Sequence, residues 1–131
     1  MKIFSLFLIL CSLTLGKAAA QDAVGANSRE KKVLKLINSL PEIISSNQER
    51  PKDRQISAYI ENTPASTQKY YAVSVCDNAA GRLFAYYRFR VYLPDYTIYY
   101  DDFDSGKLVP LKKWQKHPYG IYGVRLKTKA G

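Results

Sequence analysis

The chain has 131 residues, 20 of them Lys or Arg against 11 Asp or Glu, for a formal charge of +9. That length suits about one domain, and two cysteines exclude both a disulfide-stapled scaffold and a multi-cysteine metal site. The basic balance favours anionic partners.

The first stretch has the pattern of a targeting segment. Lys2 supplies a positive start, Ile3 to Gly16 is apolar, and Ala18-Ala19-Ala20 offers small residues for cleavage before Gln21. The apolar run is too short to span a bilayer comfortably. We therefore read residues 1–20 as a signal peptide and the protein as secreted or periplasmic. Leu10 before Cys11 is the wrong residue for lipoprotein processing. Lys2 and Lys17 leave with the leader and no acidic residue does, so the charge falls from +9 to +7. Nucleic acid suits that charge, but the export signal argues against it. Cys76 is then the one cysteine left, either packed or free to bridge two chains.

Residues 21–27 read as a flexible leader. Ser28 is an N-cap candidate and Glu30 sits in a first turn, favourable against the helix dipole. Val33, Leu36, Ile37, Leu40, Ile43 and Ile44 recur at three- and four-residue spacing, so an amphipathic helix is expected over 29–47. Pro41 interrupts its hydrogen bonding. The result is a kinked helix or a change of direction at 39–41.

After a polar connection with Pro51, Gln55 to Asn62 alternates, with Ile56, Ala58 and Ile60 on one side. Lys69 to Asp77 places Tyr71, Val73 and Val75 inward and Tyr70, Ala72, Ser74 and Cys76 outward. The longest strand runs from Arg82 to Leu93. Its alternation sets Leu83, Ala85, Tyr87, Phe89, Val91 and Leu93 against Arg82, Phe84, Tyr86, Arg88, Arg90 and Tyr92. The first set is a core face; the second is an arginine–aromatic outer face.

A three-residue loop, Ala79-Ala80-Gly81, gives the pairs Val75–Ala85, Val73–Tyr87 and Tyr71–Phe89 inside, with Ser74–Tyr86, Ala72–Arg88 and Tyr70–Arg90 outside. A turn at Pro94-Asp95, of type I or II, pairs Val91 with Ile98, Phe89 with Tyr100, Arg90 with Tyr99 and Arg88 with Asp101. Asp104-Ser105-Gly106 turns the chain again. Lys107 to Val109 adds a short strand, and Leu111 to Lys116 one helical turn with Trp114 against the sheet. His117 to Gly131 reads as a weakly ordered basic tail beyond a single domain over 28–116.

The expected fold is α+β, with an N-terminal kinked amphipathic helix on one face of a four- to five-stranded antiparallel meander sheet. This order of elements, over 28–103, resembles the helix-on-curved-sheet arrangement of cystatins and NTF2-like proteins. The resemblance carries no motif. The cystatin signature Gln-x-Val-x-Gly is absent, since Gln21-Asp22-Ala23-Val24-Gly25 has the wrong spacing, so no function follows from it.

Catalytic patterns are missing. His117 is the only histidine, and neither it nor Cys76 lies in a nucleophile motif. There is no Gly-x-Ser-x-Gly elbow and no nucleotide-binding glycine loop. Asp101, Asp102, Asp104 and Ser105 form an acidic cluster, but Gly106 and Lys113 stand where an EF-hand needs ligands. No metal or cofactor is expected. A core-face pocket between Tyr71, Tyr87, Phe89 and Tyr100 would favour an enzyme or small-molecule binder of NTF2-like type.

The remaining candidate is the outer face, with Tyr70, Arg82, Tyr86, Arg88, Arg90, Tyr92 and Tyr99 as ligand-binding residues. Arginine pairs with carboxylate or phosphate, and tyrosine lies against rings. The same face reads structurally as Arg90 between Tyr70 and Tyr99 and Arg88 paired with Asp101. The functional expectation is a non-enzymatic protein-interaction module, an inhibitor or accessory subunit, whose partner is a protein or anionic envelope component. The alternative is a binder of acidic glycan or lipid headgroups. Cys76, near a strand end on this face, offers a route to a disulfide dimer if exposed.

Overall fold

The structure is a computed structural model describing residues 27–77 and 84–121. The leader over 1–20, the Ala79-Ala80-Gly81 loop, Arg82, Leu83 and the end of the basic tail lie outside the described residues. Two helices come first, α1 (Ser28–Asn38) and α2 (Pro41–Gln48), then a short 3-10 turn, Lys52–Arg54. Five strands follow: β1 (Ile56–Asn62), β2 (Tyr70–Asp77), β3 (Phe84–Tyr92), β4 (Thr97–Asp102) and β5 (Lys107–Pro110). A last helix, α3 (Leu111–Lys116), follows the sheet. The strands form one open antiparallel sheet in chain order. The fold is α+β.

Asn27, not Ser28, caps α1, its Oδ1 accepting the Glu30 amide at 3.0 Å. The chain changes direction at Ser39–Leu40 instead of running on as one kinked helix. Proline disfavours helical geometry in the residue before it and suits the first turn of a helix. Leu40 is accordingly extended (φ −61°, ψ 133°) and Pro41 opens α2. The apolar phase carries across the break, so Val33, Ile37, Leu40 and Ile43 join one core with Val73, Val75, Phe89 and Val91.

That core is closed at the far side by α3. Trp114 is fully buried. It stacks on Tyr100 at 5.2 Å and meets Phe89 at 5.2 Å and Tyr87 at 5.8 Å edge-on. Aromatic pairs at such separations attract beyond simple burial. The space between the inward aromatic side chains is therefore filled by an indole, whose Nε1 donates to the Tyr119 carbonyl at 2.8 Å.

β1 is an edge strand, and its outward backbone groups need partners. Two helix asparagines supply them. Asn47 accepts from the Ile56 amide at 2.7 Å and donates to the Ile56 carbonyl at 2.9 Å, while Asn38 accepts from the Ala58 amide at 2.8 Å. Asn47 thus acts on Ile56 as a neighbouring strand would.

The β2–β3 register differs from the expected one by two residues. The pairs are Val75↔Tyr87, Val73↔Phe89 and Tyr71↔Val91 inside, with Ser74↔Arg88, Ala72↔Arg90 and Tyr70↔Tyr92 outside. Side-chain parity fixes which residues share a face but not the absolute pairing, and the last described pair is Asp77↔Phe84. A bulge also intervenes: Cys76 pairs with Ala85 while Val75 pairs with Tyr87, leaving Tyr86 unmatched. β3 and β4 pair as expected at Phe89↔Tyr100, Arg90↔Tyr99 and Val91↔Ile98. Their connection has a cis Leu93–Pro94 bond and Tyr96 at φ +60°, in place of the expected type I or II turn. Among the described residues no helix is long and apolar enough to cross a membrane.

Candidate functional site

The outer sheet face divides into two zones. In the first, Tyr70 packs on Tyr92 at 5.0 Å and Tyr92 on Tyr99 at 5.4 Å. Arg90 lies over the Tyr70 ring at 4.6 Å, and its Nε donates to Asp101 Oδ2 at 2.9 Å. The expected Arg88–Asp101 pair is thus replaced by Arg90–Asp101, a diagonal contact across two paired strands, within reach of a long side chain. Cation, carboxylate and rings in this zone satisfy one another.

The second zone begins two residues along β3, where consecutive outward side chains stand on the same face. Tyr59 and Glu61 of β1, Ser74 and Cys76 of β2, and Ala85 and Arg88 of β3 surround a hollow of about 570 Å³, closed by Ile60, Phe84, Phe103 and Ile121. The bulge shapes it by bringing Ala85 beside Cys76. The returning chain supplies another wall: Ile121 donates its amide to the Tyr86 carbonyl at 3.0 Å. Gly120 permits this approach, since a Cβ there would lie 2.5 Å from that carbonyl oxygen. Part of the segment expected as a tail, His117 to Ile121, therefore lies against the sheet, with Tyr119 edge-on to Tyr100 at 5.1 Å.

Within the hollow, the Ser74 hydroxyl donates to the Glu61 carboxylate. Arg88 lies over the Phe103 ring at 4.8 Å, and its buried Nε has no hydrogen-bond partner. It makes no ion pair with the described residues. Phe84 and Phe103 are 52% and 62% exposed. Cys76 is only 4% exposed, the packed of its two expected states and not the exposed one a bridge to a second chain would need. Burial, then the charge of Glu61, pushes its thiol above the ordinary value, with Arg88 pulling the other way.

Tyr86 does not belong to the outer face. A bulged residue breaks the alternation of its strand, and Tyr86 packs toward the helix-side core. Its hydroxyl donates to Asp77 Oδ2 at 2.8 Å, and Arg50 lies over its ring at 4.4 Å. Asp77 is fully buried and also accepts from Arg54 Nε and Nη2 at 3.2 and 3.1 Å. The Tyr86 hydroxyl first, and Asp77 second, hold the Arg54 guanidinium above its ordinary value. This cluster ties the segment after α2 to the end of β2.

The acidic residue that ends β4 is engaged in turn chemistry. Asp102 Oδ2 accepts from Ser105 at 2.6 Å and from Tyr119 at 3.2 Å, and the Ser105 hydrogen bond holds its carboxyl below the usual range. Among the described residues no three His, Cys, Asp or Glu side chains gather to hold a metal.

Of the expected ligand residues, Tyr70, Arg90, Tyr92 and Tyr99 meet in the first zone and Arg88 lines the second. Tyr86 leaves the face, and Arg82 lies outside the described residues. The hollow adds Tyr59, Glu61, Ser74, Cys76 and Phe103. Strand alternation signals the first four, since each stands on the outward parity of its strand. Phe103 shares the outward parity of Tyr99 and Asp101 in the strand expected over Tyr96 to Phe103, although β4 ends one residue before it. Compared with known proteins, the chain matches no family model, no curated protein and no solved structure.

Proposed function

We propose that this is an exported, non-enzymatic binding module that engages its partner through the outer face of the sheet. Residues 1–20 direct export, and the domain beginning at residue 28 does the binding, in a helix-on-curved-sheet layout of cystatin or NTF2-like kind. One observation carries the reading: Arg88 makes no ion pair among the described residues and stands in a hollow walled by exposed phenylalanines, while Arg90 is matched by Asp101. An arginine that makes no ion pair with the described residues is a ready site for an anionic group. Large exposed rings beside it supply the apolar anchor typical of interface centres. The partner is a protein of the envelope or extracellular space.

A pull-down from secretory or envelope extract tests this, with the protein as bait and washes of rising salt. A packed protein interface survives salt that screens simple charge attraction. The expected result is a protein retained at high salt by the wild type and by Arg90→Gln, and lost by Arg88→Gln. Capture that ignores Arg88→Gln would remove the hollow from the function. Capture of acidic glycan or lipid alone, eluting at moderate salt, would favour the headgroup-binding alternative.

A further inference from the structure

The hollow is chemically selective. Among its described lining residues, Arg88 is the one cation and Glu61 the one anion. Ser74 donates its hydroxyl proton to Glu61, so that hydroxyl is not offered to a ligand and the carboxylate is held at the wall. A dianion such as a phosphate monoester would meet one positive charge and be repelled by Glu61 nearby. A singly charged acid meets the positive charge without that excess. Its two oxygens also match the planar N–H fork of a guanidinium, which a ring across its face leaves open for in-plane acceptors.

The remaining walls select the body of the ligand. Tyr59, Phe84, Phe103 and Ile121 present rings and an alkyl chain around the arginine. The volume of about 570 Å³ falls within the roughly 300–1,000 Å³ usual for small-ligand sites. Resting on the outer-face reading above, we infer that the hollow is a subsite for a monocarboxylate with an apolar, aromatic body. Its carboxylate lies on Arg88 and its ring between Phe84 and Phe103. In a protein partner this group is a single acidic residue or chain terminus flanked by an apolar side chain.

Three probes of one shape test the assignment by NMR titration of the protein purified after export of the full chain: 3-phenylpropionate, its neutral amide, and phenyl phosphate. The carboxylate is expected to shift the Cys76, Ala85 and Arg88 signals, including the Arg88 Nε–H. A charge-assisted pair makes the amide at least about tenfold weaker, and Arg88→Gln lowers carboxylate affinity by a similar factor. Arg90→Gln leaves it unchanged. Equal binding of acid and amide overturns the proposal without requiring any variant to fold. Tighter binding of phenyl phosphate at the same signals overturns the carboxylate assignment while the outer-face reading stands. No shift from any probe overturns the subsite, and Arg88-dependent partner capture would then still separate that failure from failure of the broader reading.

Discussion

Replacing Asn47 with alanine isolates the device that closes the β1 edge. The substitution removes two hydrogen bonds at once, from the Ile56 amide at 2.7 Å and to the Ile56 carbonyl at 2.9 Å. Ile56 is 2% exposed, so neither group regains water without the strand moving. An orphaned buried donor or acceptor costs about 1–3 kcal/mol, giving about 3 kcal/mol for the pair when edge relaxation is allowed for. Alanine is the better helix former by about 0.5 kcal/mol, which offsets a little of this. The net loss is about 2–3 kcal/mol, or a fall of about 2 M in the urea midpoint for a domain of this size. Asn38→Ala removes one such bond, to the Ala58 amide, and is expected to cost about half as much. Urea unfolding followed by Trp114 fluorescence gives both values, and amide exchange at Ile56 and Ala58 locates them. A loss at Asn47 below about 0.5 kcal/mol, or no faster exchange at Ile56, would refute the view that helix asparagines substitute for a missing strand.

Three further outcomes follow from the same packing. Tyr86→Phe removes a hydroxyl from a buried carboxylate and should cost about 1.5–3 kcal/mol in urea unfolding, yet leave partner capture unchanged, because Tyr86 faces the helices. Trp114→Ala empties the junction of Tyr87, Phe89 and Tyr100 and should cost about 3–5 kcal/mol, seen as a large fall in Tm. Burial pushes the Tyr87 hydroxyl up to about 12 and raises that of Tyr100 as well. The folded state therefore holds these protons more tightly than the unfolded chain, in which tyrosine titrates near pH ~10. Stability from this source is full below that pH and is lost as pH rises toward about 12. Unfolding midpoints measured from pH 9 upward should stay level and then fall, and a rise would contradict the buried, neutral hydroxyls.

The sequence carried the strand content and the inside–outside pattern well, because an apolar alternation of period two leaves few other arrangements. Ile56/Ala58, Tyr71/Val73/Val75 and Tyr87/Phe89/Val91 all face the core. The β3–β4 register was legible too, since a short connection leaves little freedom. The β2–β3 register was not. Parity accepts any even slip, and the bulge at Tyr86 is a single-residue insertion that apolar alternation does not mark. That bulge alone explains why Tyr86 stands opposite to its expected face and why Ala85 lies in the hollow. Pro41 was visible, but whether it kinks a helix or starts one depended on Leu40 becoming extended. The hollow was half legible: Arg88, Ser74 and Cys76 stand on the outward parity of their strands, as Phe103 does at the end of the expected Tyr96–Phe103 strand, whereas Ile121 reaches it from a segment beyond any periodic strand. Arg88 and Arg90 look alike in sequence, and only the diagonal reach of Asp101 separates the matched arginine from the unmatched one.

Amide hydrogen exchange on the protein alone and with its captured partner locates the binding surface. Protection is expected at 59–61, 74–76, 84–88 and Phe103, the stretches around the hollow, with little change in α1 or α2. Protection confined to the helices or to β5, with the stretches around Arg88 unchanged, would contradict binding at the outer face.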